Sequence, residues 1–440
     1  MARTLSLFSL LATLSLVTSV FAIPMSMPDR GSDTSQTIRM PIARKARGLS
    51  RRNMIQADLS NGEVNYFIET QIGTPPQTVD LKIDTGSSDT WAYTPAACSA
   101  VNCQGGSCKS TAFLRRIPKD CSNPRLLRLS AATDHLFLLV DPTQSSSFTE
   151  VVPGGFNISY EDGSGKYGDY VSDNLAISGA TIQALEMGLV VGGSDSDAFG
   201  IMGLGFDTLE ATSSKYPSIM DDMVSQGLIG SLSYSLWLDD LRKSKCPPSI
   251  PVPPSSGIFP DEKSTEASTG TILFGGYDQT KYSGSLTTLP IVPNDGVYNV
   301  LQVDWSSLSL TDQSGTTTYT ADGFSETAIL DSGTTVSRVP SDAFASLNQY
   351  FNLQAQSESD GSTLYYVDCN IASSQGSIDF GFSGVTIQVP FSELALSTGS
   401  DSCLFGLQPG DGVLGDTFLR SAYILYDLGN NQISLAQTVF

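Results

Sequence analysis

A turn sequence that occurs twice constrains this chain of 440 residues more than any other feature. In residues 81–88 and again in residues 328–335, a mostly apolar stretch runs into Asp, a hydroxyl residue, Gly and two further hydroxyl residues. Each copy is followed later by two apolar residues and a glycine, at 201–203 and at 413–415. Two halves that share this order of features predict two lobes related by an internal twofold axis.

The aspartates of these turns, Asp84 and Asp331, predict a pair of interacting carboxyl groups. The glycine two positions later lets the backbone turn sharply, and nearby hydroxyls and amides can donate hydrogen bonds to the carboxylate. Two carboxylates in near contact share one proton and titrate as a pair. Such a pair can hold a water, take its proton as it attacks a peptide carbonyl, and return a proton to the leaving amine. The alternative, in which each Asp only caps its own turn, is disfavoured by the two matched copies.

Hydrophobic periodicity predicts an all-β protein, with strands from about residue 62 onward. Residues 78–83 alternate between apolar and polar side chains, as a half-buried strand does. Short strands separated by Gly, Asn, Asp or Ser recur along the chain, for example at 271–274 and 385–389. Helical spacing is confined to a few places, such as 219–224 and 344–351, and Ser341 is the expected N-cap of the second helix.

The composition excludes several classes of function. A formal net charge of −21 argues against a nucleic-acid partner, because nucleic-acid binding requires a basic surface. One histidine, His135, is too few for a His-based metal site. It is also the only residue that could act as the base of a Ser–His catalytic site. We therefore expect neither a metal nor a cofactor.

The first 52 residues have the pattern of targeting and processing segments. An apolar run over 5–21 predicts a secretory signal peptide, residues 1–22; a membrane anchor is the alternative, but the run is short for spanning a bilayer. Residues 23–52 hold seven basic and two acidic side chains. We interpret them as a propeptide that is cut after Arg51 and Arg52, the alternative being a disordered basic tail. The mature protein is then expected to be extracellular and free of the membrane, with retention in the cell wall or vacuole left open.

Five stretches, two of which contain the aspartate turns, carry a resemblance to a known family: Ile-Gly-Thr-Pro-Pro-Gln at 72–77, Ile-Asp-Thr-Gly-Ser-Ser at 83–88, Phe-Gly-Gly-Tyr-Asp at 274–278, Leu-Asp-Ser-Gly-Thr at 330–334 and Val-Leu-Gly-Asp-Thr-Phe at 413–418. With them the chain resembles the pepsin-like aspartic proteases over residues 66–436. The resemblance implies a bilobal β fold with a cleft between the lobes, here 53–280 and 281–440. In that family the catalytic pair matches Asp84 and Asp331. The residues that support the two carboxylates match Ser87, Thr334, Gly86 and Gly333.

The resemblance also implies a hairpin that covers the substrate, at residues 158–164. Tyr160 would lie over the cleft with Trp91 beneath it as a hydrogen-bond partner, and Asp162 and Gly163 would belong to the same hairpin. These roles come from the resemblance, since Tyr160 alone is an ordinary strand aromatic and Trp91 an ordinary core residue.

Two features of this hairpin depart from the family or add to it. Glu161 stands where the family usually has Gly, and an added carboxylate there could alter substrate preference or the acid limb of the pH profile. Asn157 begins an Asn-Ile-Ser glycosylation sequon on the expected hairpin strand, and its use is left open.

Residues 108–140 and 242–266 do not match the family. They are rich in basic residues, and the second holds six of the 22 prolines. Our hypothesis is that both are retained introns, because residues 108–110 and 242–244 can each be encoded with a splice-donor sequence. Two genuine surface insertions are the alternative.

The two segments also account for the odd count of seven cysteines. Without them four cysteines remain, for which the resemblance implies the pairs Cys98–Cys103 and Cys369–Cys403. An oxidising compartment suits both pairs.

The sequence thus predicts a secreted aspartic endopeptidase, from a fungal source, that hydrolyses peptide or protein substrates in acid. We expect a monomer that first binds its own propeptide. The alternatives are a catalytically silent binding protein with the same fold, an enzyme inactivated by the two insertions, and a glycosidase with two carboxylates. Symmetric Asp-hydroxyl-Gly turns are not what glycoside hydrolysis requires, and intact turns favour the protease.

Overall fold

The computed structural model describes residues 54–61, 65–97, 139–160, 163–194, 199–239, 270–358, 361–398 and 402–439. Strands dominate these residues, in agreement with the alternating pattern. The strands are β1 (Ile55–Asn61), β2 (Tyr66–Ile72), β3 (Gln77–Asp84), β4 (Thr90–Tyr93), β5 (Thr149–Ser159), β6 (Gly165–Ile177), β7 (Ala180–Gly193), β8 (Gly200–Gly203), β9 (Ser233–Leu238), β10 (Gly270–Phe274), β11 (Thr287–Pro290), β12 (Gln302–Asp312), β13 (Gly315–Thr318), β14 (Glu326–Leu330), β15 (Ser337–Val339), β16 (Gln354–Ser357), β17 (Thr363–Asp368), β18 (Ser377–Phe382), β19 (Val385–Pro390), β20 (Ala395–Leu396), β21 (Ser402–Phe405), β22 (Leu407–Pro409), β23 (Val413–Leu414), β24 (Ala422–Asp427) and β25 (Gln432–Gln437).

Helices are few and short. The α-helices are α1 (Ile219–Ser225), α2 (Ser341–Phe351) and α3 (Asp416–Leu419), and 3₁₀ turns lie at Pro142–Gln144, Asp207–Leu209, Gln279–Lys281, Cys369–Ser373, Phe391–Leu394 and Leu428–Asn430. Within the described ranges the longest helix has 11 residues, and no helix there is long and apolar enough to cross a bilayer.

The strands form three sheets. The largest has the order β11-β25-β24-β9-β10-β1-β2-β3-β8-β4-β7-β6-β5. The second has the order β19-β18-β12-β14-β23-β15-β22, with β13 paired to β12, and the third has the order β16-β17-β21-β20. The largest sheet contains β24 and β25, so strands near the end of the chain join the sheet that holds β1 to β10, through the pairing of β24 with β9.

The sequence repeat is also a structural repeat. In the first half β8 pairs in parallel with β3, which places Met202 opposite Ile83. In the second half β23 pairs in parallel with β14, which places Val413 opposite Ile329. Each aspartate turn therefore lies beside its own apolar-apolar-Gly strand, and the bilobal β architecture predicted from the repeat is confirmed.

Two details of the predicted elements are wrong. The alternating pattern predicts strands from about residue 62 onward, but β1 begins at Ile55 and pairs with both β10 and β2. Ser341 is the first residue of α2 and not its cap: Pro340 is the cap residue, and its carbonyl accepts the hydrogen bond from the Phe344 N–H at 2.8 Å. The extended backbone of Pro340 ends β15 and allows the helix to begin at the next residue.

Several predicted segments lie outside the described residues: the signal peptide, the propeptide with its cleavage site, and most of the two atypical segments. The last two residues of the first atypical segment are described. Leu139 forms a β-bridge with Tyr93, and the buried Val140 donates its N–H to the Tyr93 carbonyl at 2.8 Å. These two residues thus belong to the folded core.

Candidate active site

The two predicted aspartates occupy equivalent places in the two lobes. Asp84 is the last residue of β3, and Asp331 follows directly after β14. On Asp84, the Gly86 N–H donates to Oδ1 at 2.8 Å and the Ser87 hydroxyl donates to Oδ2 at 2.5 Å.

The second carboxylate is held in the same way. The Gly333 N–H donates to Oδ1 of Asp331 at 2.7 Å, and the Thr334 hydroxyl donates to Oδ2 at 2.6 Å. One backbone donor and one hydroxyl donor fix the plane of each carboxyl group, so the four residues named as supports from the sequence all contact the pair.

The glycines of the two turns allow the carboxylates to approach each other. A Cβ atom at Gly86 would lie 2.6 Å from Oδ1 of Asp331, and a Cβ atom at Gly333 would clash with Oδ1 of Asp84. Each carboxylate therefore lies against the glycine of the opposite turn, and any larger residue would displace it. The twofold arrangement brings Asp84 and Asp331 into one site.

A second symmetric contact lies beneath the carboxylates, and sequence reasoning missed its role. The hydroxyl of Thr85 accepts from the Ser332 N–H at 2.9 Å, and the hydroxyl of Ser332 accepts from the Thr85 N–H at 3.2 Å. The same hydroxyls donate to the carbonyls of Leu330 and Ile83, respectively, at 2.7 and 3.2 Å. Both side chains are buried, so the two turns are locked to each other. The available signal was the hydroxyl residue that follows Asp in both copies.

The electrostatics of the pair favour one shared proton. Removal of water from around the carboxyl group raises the pKa of Asp331 to about 7, and the neighbouring charge of Asp84 contributes to this rise. The hydrogen bonds from Thr334 and Gly333 act in the opposite direction, because they stabilise the ionised form. The pair therefore retains a proton through the acid range.

Tyr160 and Trp91 form the contact that the resemblance implied. The indole N–H of Trp91 donates to the Tyr160 hydroxyl at 2.8 Å. Burial raises the pKa of Tyr160 above its ordinary range, and the charge of Asp84 contributes, so the phenol is within electrostatic reach of the pair. At the turn, the Gly163 N–H donates to the Tyr160 carbonyl, and Gly163 has a φ of +80° that favours glycine. Asp162 and Glu161 lie outside the described residues.

Three of the remaining predicted residues belong to elements other than the two aspartate turns. Cys369 and Cys403 form a disulfide that joins a 3₁₀ turn to β21. Asn157 is exposed on β5, which is the edge strand of the largest sheet. The other predicted residues, Cys98, Cys103, Arg51 and Arg52, are outside the described part of the chain. In that described part, no group of three or more His, Cys, Asp or Glu side chains is placed to hold a metal ion.

A buried acidic cluster that the sequence did not reveal lies near the first turn. Asp89 is fully buried and accepts from the hydroxyls of Tyr170 at 3.0 Å and Tyr216 at 2.7 Å. Beside it, burial raises the pKa of Glu210 to about 8, and the charge of Asp89 adds to this effect. The protein thus contains a second buried carboxyl group that favours its protonated form.

Comparisons with known proteins agree on one family. A family model described as eukaryotic aspartyl protease matches residues 65–247 and 259–438, and the gap between the two matches falls inside the second atypical segment. The probable aspartic-type endopeptidase opsB of Aspergillus oryzae is 36% identical over 416 residues, which cover 91% of this chain and 74% of that protein. Secreted aspartic protease 8 of Candida albicans is 33% identical over 400 residues, which cover 89% and 80%.

A solved structure supports the fold. The crystal structure of an aspartic proteinase from Irpex lacteus matches with a TM-score of 0.62 and 21% sequence identity, over 88% of this chain and 98% of that one. At this level of identity the match shows the shared fold alone.

Proposed function

Because this chain belongs to the eukaryotic aspartyl protease family and is an aspartic-type endopeptidase, we propose that it hydrolyses peptide bonds at acid pH with Asp84 and Asp331 as its catalytic pair. The observation that carries the proposal is the matched support of the two carboxylates. Each receives one backbone N–H and one hydroxyl bond, and each lies against the glycine of the opposite turn.

The mechanism follows from a pair that holds one proton and one negative charge. Asp331 carries the proton, because its surroundings raise its pKa to about 7. The ionised Asp84 takes a proton from a water held between the carboxyl groups, and the water oxygen attacks the peptide carbonyl carbon. Asp331 gives its proton to the carbonyl oxygen, which forms a tetrahedral diol. The C–N bond then breaks as Asp84 gives its proton to the leaving nitrogen and Asp331 takes a proton from one diol hydroxyl, which becomes the carbonyl oxygen of the new carboxyl group.

Tyr160 is proposed to cover the bound peptide. Its hydroxyl is fixed by Trp91, and its backbone closes the turn of the hairpin formed by β5 and β6. A covered site excludes bulk water, which strengthens the electrostatic interactions of the catalytic pair.

The proposed acid range agrees with the buried carboxyl groups. Asp331 and Glu210 have pKa values raised to about 7 and about 8, so their neutral forms predominate in acid. We further propose that the protein is secreted after loss of residues 1–22 and activated by loss of residues 23–52. The exposed Asn157 would then be available for N-glycosylation.

The proposal is tested by incubating the purified, processed protein with an unfolded protein substrate from pH 3 to pH 7. Cleavage that is greatest below pH 6 is expected. A folded protein that cleaves nothing at any pH would favour the binding-protein alternative. A second preparation lacks residues 108–138 and 242–266 and keeps Leu139 and Val140, which belong to the folded core. It separates inactivation by the insertions from a lack of catalytic machinery, because activity in this preparation alone would assign the loss to the insertions.

The retained-intron proposal has its own test. We expect the mature transcript to lack the codons of the two atypical segments. The family match is interrupted at 248–258, inside the second segment, and it runs through the first. Sequencing of the spliced transcript checks this. A cDNA that retains both segments would establish them as genuine insertions.

Replacing Glu210 with Gln is expected to stabilise the protein at neutral pH and to change little in acid. In the folded protein the Glu210 pKa is about 8, against an ordinary value of 4.5. The stability that the protonated Glu210 side chain contributes is therefore fully present below pH 4.5 and is lost as the pH rises toward 8. The introduced amide cannot ionise, and its oxygen can still accept the bond from the Tyr216 N–H. The expected gain at pH 7 is about 3 kcal/mol.

Thermal unfolding at pH 4 and pH 7 measures this difference. The matched control is Glu326→Gln, because it removes the same charge from an exposed site. Equal shifts of Tm at both pH values in Glu210→Gln would contradict the assignment.

A further inference from the structure

Lys82 brings a positive charge into the catalytic turns. It lies two residues before Asp84 on β3, so the two side chains share one face of the strand, whereas Leu81 and Ile83 point into the core. Its Nζ donates to the carbonyl of Gly333 at 2.7 Å, across the site from its own strand. The Gly333 N–H in turn holds Oδ1 of Asp331. The ammonium of Lys82 is therefore linked to the turns of both aspartates.

This cation breaks the symmetry of the repeat. The position equivalent to Lys82 in the second copy is Ile329, which pairs with Val413 of β23. Within the described residues, the first turn thus has a cation at a strand position where the second turn has an apolar side chain.

Among the described residues, the other ionisable groups that face the pair do not supply a free positive charge. They are Asp416 of α3 with Arg420 behind it, Tyr160 of the hairpin, Tyr234 of β9 and Tyr426 of β24. Arg420 is bound to the carboxylate of Glu393 at 2.7 Å, whereas Lys82 donates to an uncharged carbonyl. Burial raises the pKa of Asp416, and the charges of Arg420 and Lys82 oppose this rise, so the field of Lys82 extends into this region.

We propose that Lys82 is a positioning residue of the catalytic pair: its ammonium anchors the Gly333 turn to β3, and its positive charge stabilises the singly ionised pair and sets the pH range of activity. This inference rests on the proposed function. A positive charge beside two carboxyl groups favours ionisation of both, so it moves both limbs of a pH–rate profile toward lower pH. Removal of the charge must move both limbs the other way.

Three substitutions separate the charge of Lys82 from its hydrogen bond. Lys82→Arg keeps a charge and a donor, Lys82→Gln keeps a donor alone, and Lys82→Met keeps neither. The pH dependence of kcat/KM is measured for each with a peptide that has no ionisable side chains. Lys281→Met is the matched control, because it removes the same charge from a site where the ammonium lies 3.6 Å from the centre of the Trp237 ring.

We expect the Gln and Met variants to shift both limbs upward by about one pH unit. The Arg variant and the Lys281 control should retain the parental profile. Limbs that stay in place in Lys82→Gln would overturn the proposal even if the rate fell at every pH, since that result shows a structural role alone. Should Lys82→Met fail to fold, Lys82→Gln carries the test. An inactive parental protein would instead contradict the proposed function, so the two failures are distinguishable.

Discussion

Replacing Asp84 with Asn is expected to lower kcat/KM at pH 4 by about 10⁴-fold or more, with the fold retained. Asn has the same shape, and its side-chain oxygen can accept the bond from the Gly86 N–H that Asp84 accepts at 2.8 Å. The Ser87 hydroxyl can rotate to accept from the new amide. The amide cannot take a proton from water, so the step that generates the nucleophile is lost.

The measurement is steady-state proteolysis of a defined peptide by Asp84→Asn and, in parallel, by Asp331→Asn. Both variants should lose activity to a similar extent, because residues that act as one unit give non-additive losses, and the double variant should be no worse than either. Asp322→Asn is the control, since Asp322 is exposed and lies outside the site. Survival of more than about a tenth of the activity in either variant would discard the pair as the catalytic group.

The catalytic pair could be predicted from sequence because its signal is local. Asp84 and Asp331 each follow an apolar strand and precede a glycine, and the repeat itself supplies the partner. The supports Ser87 and Thr334 lie within three residues of their aspartates, so the same short motif contains them. Contacts between residues this close in the sequence can be predicted without knowledge of the fold.

Contacts between residues that are far apart in the chain could not be predicted from the sequence. Thr85 and Ser332 stand in the motif, yet their mutual hydrogen bonds join residues 247 positions apart and depend on how the lobes meet. The cluster at Asp89 draws on hydroxyls that are 81 and 127 positions away in the chain, and no periodicity links them. The Lys82 contact with Gly333 spans 251 positions and has the same character.

Some elements were missed for local reasons. β1 itself alternates between apolar and polar residues, so its local signal was present and was overlooked; β10 and β2 pair with it on its two sides. Residue preference favours Ser341 as the N-cap of α2, whereas Pro340 occupies the cap position. At this helix boundary the surrounding structure decided what the local sequence left open.

Replacing Arg420 with Met is expected to lower the free energy of unfolding at pH 7 by about 3–5 kcal/mol. Arg420 is fully buried, and its Nε lies 2.7 Å from Oε2 of Glu393, which is 1% exposed. Its Nη2 donates to the Glu393 carbonyl at 3.3 Å. The charge of Arg420 also opposes the rise in the pKa of Asp416, another buried carboxyl group. Methionine fills much of the volume but leaves both carboxyl groups without their cation.

The loss should be smaller at pH 4 than at pH 7, which distinguishes a charge effect from a packing effect. Without Arg420, the buried Glu393 and Asp416 favour their neutral forms more strongly, and protonation costs little in acid but progressively more as the pH rises. Denaturant unfolding at the two pH values measures the difference. Adding Glu393→Gln to Arg420→Met should restore part of the stability at pH 7, because it removes one of the uncompensated charges. A loss that is equal at both pH values, with no recovery in the double variant, would show that Arg420 acts through packing, and the buried ion pair would then contribute nothing specific to the stability of this lobe.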